Sequence, residues 1–268
     1  MSNTIDWGKI HYNSWSPETN LTGAGATPSF QNEYSFQFDA IDDYIDCGDN
    51  DNLSFGDGVT DSPFSISSWV KMDTDTNFAI CSKYSTTSII EYQFTFVSGG
   101  RLMFRLFDNA STVRIGRMTT DISSNVGSWT NFVATYDGSS TLAGLKIYVN
   151  GIRADVTDST SGSYTSMHNT TAPFAIGKYA TNYADGLIDE TAVFNSELSA
   201  SDVTSIYNGG VPNNLNDLST PPLSWWRMGE AATFDGIRDW DLVDQGTGGN
   251  DATSQNIAET ERVTDVPT

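Results

Sequence analysis

The stretch 128–152 constrains the fold of this 268-residue chain more than any other. Thr130, Phe132, Ala134 and Tyr136 alternate with Asn131, Val133 and Thr135. Beyond a Gly/Ser-rich turn at 137–144, Leu145, Ile147 and Val149 alternate with Lys146 and Tyr148. Successive side chains of a strand project to opposite sides, so period two on both sides of a turn predicts a β-hairpin with one buried face. Asn150-Gly151 then supplies two residues that accept positive φ, as a tight turn into a third strand requires.

Similar segments precede the hairpin at 34–39, 44–48, 64–72, 77–83, 90–97, 101–108 and 112–118, and follow it at 173–177 and 186–195. Ser199, with Asp202 three residues on, predicts a capping box for a short helix near 199–208, with Val203, Ile206 and Tyr207 as its apolar stripe and Gly209-Gly210 as its stop. Many short strands and one helix imply an all-β fold, a two-sheet antiparallel β-sandwich with non-globular flanks. The expected division is an N-terminal docking arm at 1–32, the sandwich at 33–211 and a C-terminal aromatic segment and tail at 212–268. Trp7 and Trp15 in the arm, and Trp225 and Trp226 in the C-terminal segment, are expected interface residues, since exposed indoles are costly. The last ten residues are polar or charged and are expected to be mobile.

With 38% hydrophobic and 12% aromatic residues the chain has enough apolar surface to fill a core. A formal net charge of −21 argues against nucleic acid as a partner, because phosphate binding needs clustered Lys and Arg. Cys47 and Cys81 each fall in a strand and are expected to be buried thiols rather than a disulfide. The N-terminus lacks a charged-then-apolar signal region, and no apolar run approaches the roughly 18 residues that span a bilayer. Synthesis in a cytoplasm and no membrane insertion are therefore expected, with lysis or another export route leading outward.

Four blocks carry a family resemblance: 35–48 (SFQFDAIDDYIDCG), 64–71 (FSISSWVK), the hairpin from Trp129 to Gly151, and 186–195 (GLIDETAVFN) with the helix after it. In order and spacing they resemble the laminin-G-like and pentraxin-like group of concanavalin A-type jelly rolls over about residues 34–210. The resemblance implies a jelly roll at 33–211 of a kind that is often glycan-binding or adhesive and sometimes carries calcium. The opening Ile5-Asp-Trp-Gly-Lys is similar to the starts of lectin-like virion proteins of marine bacteriophages. Residues 223–230 and the Asp/Gly-rich loops beyond them look like the aromatic lead-in that often precedes such a domain.

Structural calcium is the sharpest chemical expectation. Asp39, Asp42 and Asp43 crowd one strand-turn-strand segment, and neighbouring first and last strands would bring Asp189 to them. The alternative is that these residues form turns and solvated charges. The 73–77 run begins like an EF-hand loop but has Phe78 in place of the turn glycine, and Ile176-Gly177 is followed by Lys178-Tyr179 rather than the acidic run of a pentraxin calcium site. Catalysis is not expected. Asp189 and Glu190 are adjacent and should point to opposite strand faces, whereas glycosidases hold two carboxyl groups at one bond. Tyr84, Tyr164, His168, Tyr179 and Tyr183 lie in or beside loops and are the expected glycan contacts, against the alternative of half-buried packing. Arg101, Arg105, Arg114 and Arg117 stripe one sheet face, facing either solvent or a neighbouring subunit.

The leading expectation is a non-enzymatic virion structural protein at the virion surface, a capsid decoration, head-fibre or tail-fibre subunit. Its partners would be other virion subunits, copies of itself in a homo-oligomer, and a cell-surface glycan. The alternative is a carbohydrate-binding or adhesion module of a bacterial surface protein, extracellular or on the cell surface.

Overall fold

In the computed structural model, residues 30–268 are described. Asn32–Thr268 form one unit, and Phe30 and Gln31 belong to another. Residues 1–29 of the stretch expected to be a docking arm, with Trp7 and Trp15, lie outside the described residues.

The unit carries β1 (Ser35–Asp39), β2 (Tyr44–Asp46), β3 (Phe64–Met72), β4 (Ala79–Thr86), β5 (Ile89–Val97), β6 (Arg101–Phe107) and β7 (Arg114–Thr119). The opening hairpin supplies β8 (Thr130–Tyr136), β9 (Leu145–Val149) and β10 (Ile152–Arg153). There follow β11 (Asp155–Asp158), β12 (Phe174–Ile176), β13 (Lys178–Tyr179), β14 (Asn182–Tyr183), β15 (Asp185–Phe194) and the helix α1 (Ala200–Tyr207). Beyond the helix come β16 (Ser224–Trp226), β17 (Met228–Phe234), β18 (Trp240–Leu242), β19 (Ala252–Gln255) and β20 (Arg262–Val263).

Two large antiparallel sheets result, as expected for a jelly roll. One runs β10-β9-β8-β3-β15-β1-β20, with β16 also on β15; the other runs β11-β7-β6-β5-β4-β12-β2-β19-β18-β17. Facing side chains such as Phe36, Ile66, Phe132 and Ile188 from the first sheet and Ile45, Phe94, Phe104 and Ile176 from the second fill the core between them. Phe64 packs edge-on against both Phe104 and Tyr136, arrangements that aromatic quadrupoles favour.

The Asn150-Gly151 turn has the expected positive φ at both residues, 49° and 79°. The hairpin departs from expectation in one respect: all seven residues of β8 are buried, not one face. The cause is α1, whose Tyr207 stacks on Trp69 at 6.0 Å on the outer side of that sheet. Ser199 and Asp202 form the expected capping box. Cys47 and Cys81 are buried free thiols, and burial pushes both thiols up.

The stretch 212–268, expected to lie apart from the sandwich, instead contributes five strands to the two sheets. β19 pairs with β2, β20 with β1 and β16 with β15. Trp226, expected at an interface, is instead fully buried in the core, stacked on Phe174 at 5.6 Å, with its indole N–H on the Asn250 carbonyl. Trp225 is equally internal, and its indole N–H reaches Glu190. Both indoles find inside this chain the apolar surface and the acceptor that an interface would otherwise supply. Near the chain end, Asp265 accepts from the Trp129 indole and pairs with Lys71, which ties down residues expected to be mobile.

Candidate functional site

Two arrangements of side chains stand out, one beneath the surface and one on it. The first arises where β15 meets two strands end to end. β1 pairs with its residues 185–188 and β16 with 191–193 on the same side, and the register shifts between Asp189 and Ala192. Glu190 sits there at φ +49°. This bulge defeats strand alternation: the carboxylates of Asp189 and Glu190, expected on opposite faces, lie within 4.8 Å of each other and of Glu230.

Asp189 accepts from Asn32 Nδ2 at 2.8 Å and from the Glu190 amide at 2.8 Å. Glu190 accepts from Trp225 Nε1 at 2.5 Å and Arg227 Nε at 3.0 Å. Glu230 holds the amides of Glu33 and Tyr34. Asp189 is 0% and Glu190 3% exposed. Burial, then repulsion from Glu190 and Glu230, pushes the Asp189 carboxyl well above its ordinary range. Burial raises Glu190 to about 7 against the pull of Arg227. Glu230 Oε2 and Asn32 Oδ1 are buried with no hydrogen-bond partner. An oxygen-only donor set with unsatisfied oxygens fits a hard divalent cation such as calcium.

Asp39, Asp42 and Asp43 do come together, but Asp189 is not with them. Asp39 Oδ1 accepts from the amides of Ile41 and Asp42, and Asp43 Oδ2 from the Asp39 amide, so these carboxylates close their own turn. Burial and the neighbouring charges of Glu261 and Asp39 push Asp43 up to about 7. The expected set is thus divided between two places, and strand register is the reason. Asp39 lies opposite Asp185, not Asp189.

The second arrangement lies on the outer face of the ten-stranded sheet. Gly177 follows β12 at φ +82°, and a Cβ there would fall 2.5 Å from the Phe38 ring. The chain can therefore leave the core strand and fold the β13–β14 hairpin over the sheet, where Ser82 Oγ donates to the Lys178 carbonyl at 2.8 Å. Tyr179 meets Tyr84 at 5.0 Å, Tyr183 meets Tyr44 at 6.3 Å, and Lys178 Nζ stands 3.6 Å over the Tyr44 ring. Between them opens a recess of about 170 Å³, lined by Tyr44, Asp46, Ser82, Tyr84 and Lys178 among others.

Of the expected glycan contacts, Tyr84 lines this recess, while Tyr179 and Tyr183 pack beside it against Tyr84 and Tyr44. Tyr164 and His168 do not line this recess. Tyr164 donates to Asp61 at 2.7 Å, alongside Tyr136 at 2.6 Å, and His168 lies 3.2 Å from Asp108. Tyr44 was missed because it opens a strand rather than a loop. Its place between Asp43 and Ile45 in an alternating run was the available signal.

No helix among the described residues is long and apolar enough to cross a membrane. Residues 39–204, more than half of the chain, match the laminin G-type family model described as the concanavalin A-like lectin/glucanases superfamily. No curated protein sequence matches the chain. A Bacteroides ovatus protein to which carbohydrate binding is ascribed superposes on 89% of the chain at TM-score 0.58 and 16% identity. This chain spans 62% of that protein's length. Partial likenesses extend to the CBM40 of a Ruminococcus gnavus sialidase, bound to sialyllactose (TM-score 0.47, 9% identity, 65% of this chain and 97% of that one). Domain 4 of a Geobacillus stearothermophilus arabinanase, in complex with arabinotriose, is another (TM-score 0.42, 20% identity, 58% of this chain and 69% of that one). By the family match, and by the two-sheet jelly roll that accompanies it, the chain belongs to the concanavalin A-like lectin/glucanases superfamily.

Proposed function

We propose that this chain is a non-enzymatic glycan-binding module, with calcium at the Asp189–Glu190–Glu230 group as a structural ion. The observation that carries the reading is the recess on the ten-stranded sheet, where the aromatic side chains of Tyr44 and Tyr84 line the wall beside the hydrogen-bonding groups of Asp46, Ser82 and Lys178. Sugars combine apolar ring faces with rims of hydroxyls, and such a recess complements both. The carbohydrate binding ascribed to the Bacteroides ovatus protein agrees with this reading. The paired acids Asp189 and Glu190 are buried, which supports a non-catalytic role, since glycoside hydrolysis needs both carboxyl groups at the scissile bond.

A glycan array screened with the whole chain, with and without calcium chloride, tests the reading. Saturable binding that Tyr44→Ala and Tyr84→Ala each weaken is the expected outcome; an array blank in both conditions overturns it. Display on a virion, as a decoration or fibre subunit in a homo-oligomer, remains a second level of this proposal, beside display on a bacterial surface. Its motivation is the likeness of Ile5-Asp-Trp-Gly-Lys to the starts of lectin-like virion proteins. Light scattering on the whole chain addresses it: a symmetric oligomer supports the virion role, and a protease-resistant monomer counts against it.

A further inference from the structure

The described residues contain an uncompensated basic patch that the recess alone does not use. Across the outer face of the ten-stranded sheet runs a cross-strand row: Gly116 opposite Arg105, Arg105 opposite Gln93, Gln93 opposite Ser82 and Ser82 opposite Ala175. Ser82 and Ala175 line the recess, so Arg105 sits two strands from it on the same face. Arg114 lies on that face too, two residues before Gly116 on β7.

Gly116 is what lets Arg105 lie there. A Cβ at 116 would fall 2.6 Å from Arg105 Cγ and 2.7 Å from the Phe104 carbonyl oxygen. Arg105 Nε donates to Ser159 Oγ at 2.7 Å, and Arg114 Nη1 to the Ser111 carbonyl at 2.7 Å. These neutral acceptors fix the two guanidinium groups without neutralising them. The chain has 34 Asp and Glu against 13 Lys and Arg. Ion pairs hold Lys71, Lys83, Arg117, Lys146, Arg153, Arg227 and Arg238. Among the described residues, no carboxylate lies within ion-pairing distance of Arg105 or Arg114.

Placing two cations side by side without a counter-charge is unfavourable. Burial and the nearby Arg114 lower Arg105 to about 10, and both arginines act on the Tyr179 hydroxyl. Arg114 Nε and the amide oxygen of Gln93, which is 1% exposed, are buried without partners. In so acidic a protein, a fixed pair of cations beside the Tyr84–Tyr179 aromatic pair is a site shaped for an anion attached to something flat.

We propose that the face binds an acidic saccharide, with a sugar ring against Tyr84 and Tyr179 and its carboxylate or sulfate group on Arg105 and Arg114. Guanidinium groups match both anions through paired N–H donors. This inference rests on the glycan-binding reading above and names the class of glycan.

The test is calorimetric titration of the whole chain with trigalacturonate, with a sulfated galactose trisaccharide and with neutral galactotriose, at two salt concentrations. The expected result is at least tenfold tighter binding of one or both acidic trisaccharides than of the neutral one, weakening as salt rises. The trisaccharide preferred identifies the anion as carboxylate or sulfate. The double variant Arg105→Gln/Arg114→Gln, with an unchanged melting temperature, should lose at least tenfold in acidic-sugar affinity and with it the preference. Should the double variant fail to fold, Arg105→Lys/Arg114→Lys keeps the charge, and an intermediate loss supports guanidinium recognition. Equal binding of all three sugars, or full affinity in the double variant, overturns the inference and leaves the glycan reading standing. Silence toward every sugar here, with a blank glycan array, overturns both.

Discussion

Lys83 Nζ lies 3.2 Å from Glu91 Oε1, and both side chains are fully buried. The ammonium also donates to Asp49 at 2.7 Å and to the Ala172 carbonyl at 2.6 Å, while Glu91 accepts from Ser54 and from the amide and hydroxyl of Thr170. The pair therefore joins two connections, β2–β3 and β11–β12, to the β4–β5 strands. Removing one partner strands the other charge in the interior, so Lys83→Met should cost about 3–5 kcal/mol in urea denaturation. Lys83→Met/Glu91→Leu together should cost less than Lys83→Met alone. A double variant less stable than the single one would show that the pair is not coupled.

Calcium should raise the melting temperature through the group at the β15 bulge. At a hundredfold excess over its dissociation constant a native-state ligand adds about 2.7 kcal/mol. Differential scanning calorimetry in chelator and then in calcium chloride should show that gain in the parent chain and in Asp39→Asn, and lose it in Asp189→Asn and Glu230→Gln. The opposite pattern would move the ion to the Asp39 turn.

Without divalent cations, stability should fall as pH rises from about 5 to 8. Asp43 is raised from 3.8 to about 7 by burial, so the folded chain holds a proton that the unfolded chain has released across that interval. The full difference would be worth ~4 kcal/mol; water around the turn reduces the expected change to ~1–2 kcal/mol. Asp43→Asn should lessen this slope without abolishing it, since an amide oxygen can still accept the Asp39 amide and Glu190, also raised to about 7, keeps its own share. Melting curves in chelator at four pH values decide it, and an unaltered slope in Asp43→Asn assigns the effect elsewhere.

Asp61 gathers the hydroxyls of Tyr136, Tyr164 and Ser140 on one carboxylate oxygen and the Met167 amide on the other. Asp61→Ala leaves four donors without their acceptor and should cost about 3 kcal/mol. Asp61→Asn, which keeps an acceptor, should cost less. Guanidinium denaturation of the two variants gives the order, and equal losses would assign the effect to charge rather than to hydrogen bonding.

What was legible in the sequence was local. The hairpin, the Asn150-Gly151 turn and the Ser199 cap depend on neighbours a few residues away, and they stand where period and capping chemistry place them. The C-terminal strands were not legible, because β18 and β20 are only three and two residues long and β19 reads Ala-Thr-Ser-Gln, a pattern without apolar alternation. Pairing of β19 with β2, of β18 with β19 and of β20 with β1 makes them strands. The bulge at Glu190 was hidden for a related reason. Alternation rules assign its side chain to the wrong face, and Glu230 and Asn32, which complete the group, lie far away in the chain. The tyrosine recess was half legible, since Tyr84 in its wall was visible as a candidate and Tyr44, in a strand, was not.

The family match ends at residue 204, but the hydrogen-bonded fold does not. β19 lies beside β2, an inner strand of the larger sheet, and β20 and β16 complete β1 and β15. A fragment cut at the family boundary would leave three rows of backbone donors and acceptors unpaired, open to strands from other molecules. The same holds during synthesis on the ribosome. Until the segment after the helix has emerged, the earlier strands wait with open sides, and crowding or slow translation in that interval favours aggregation over folding.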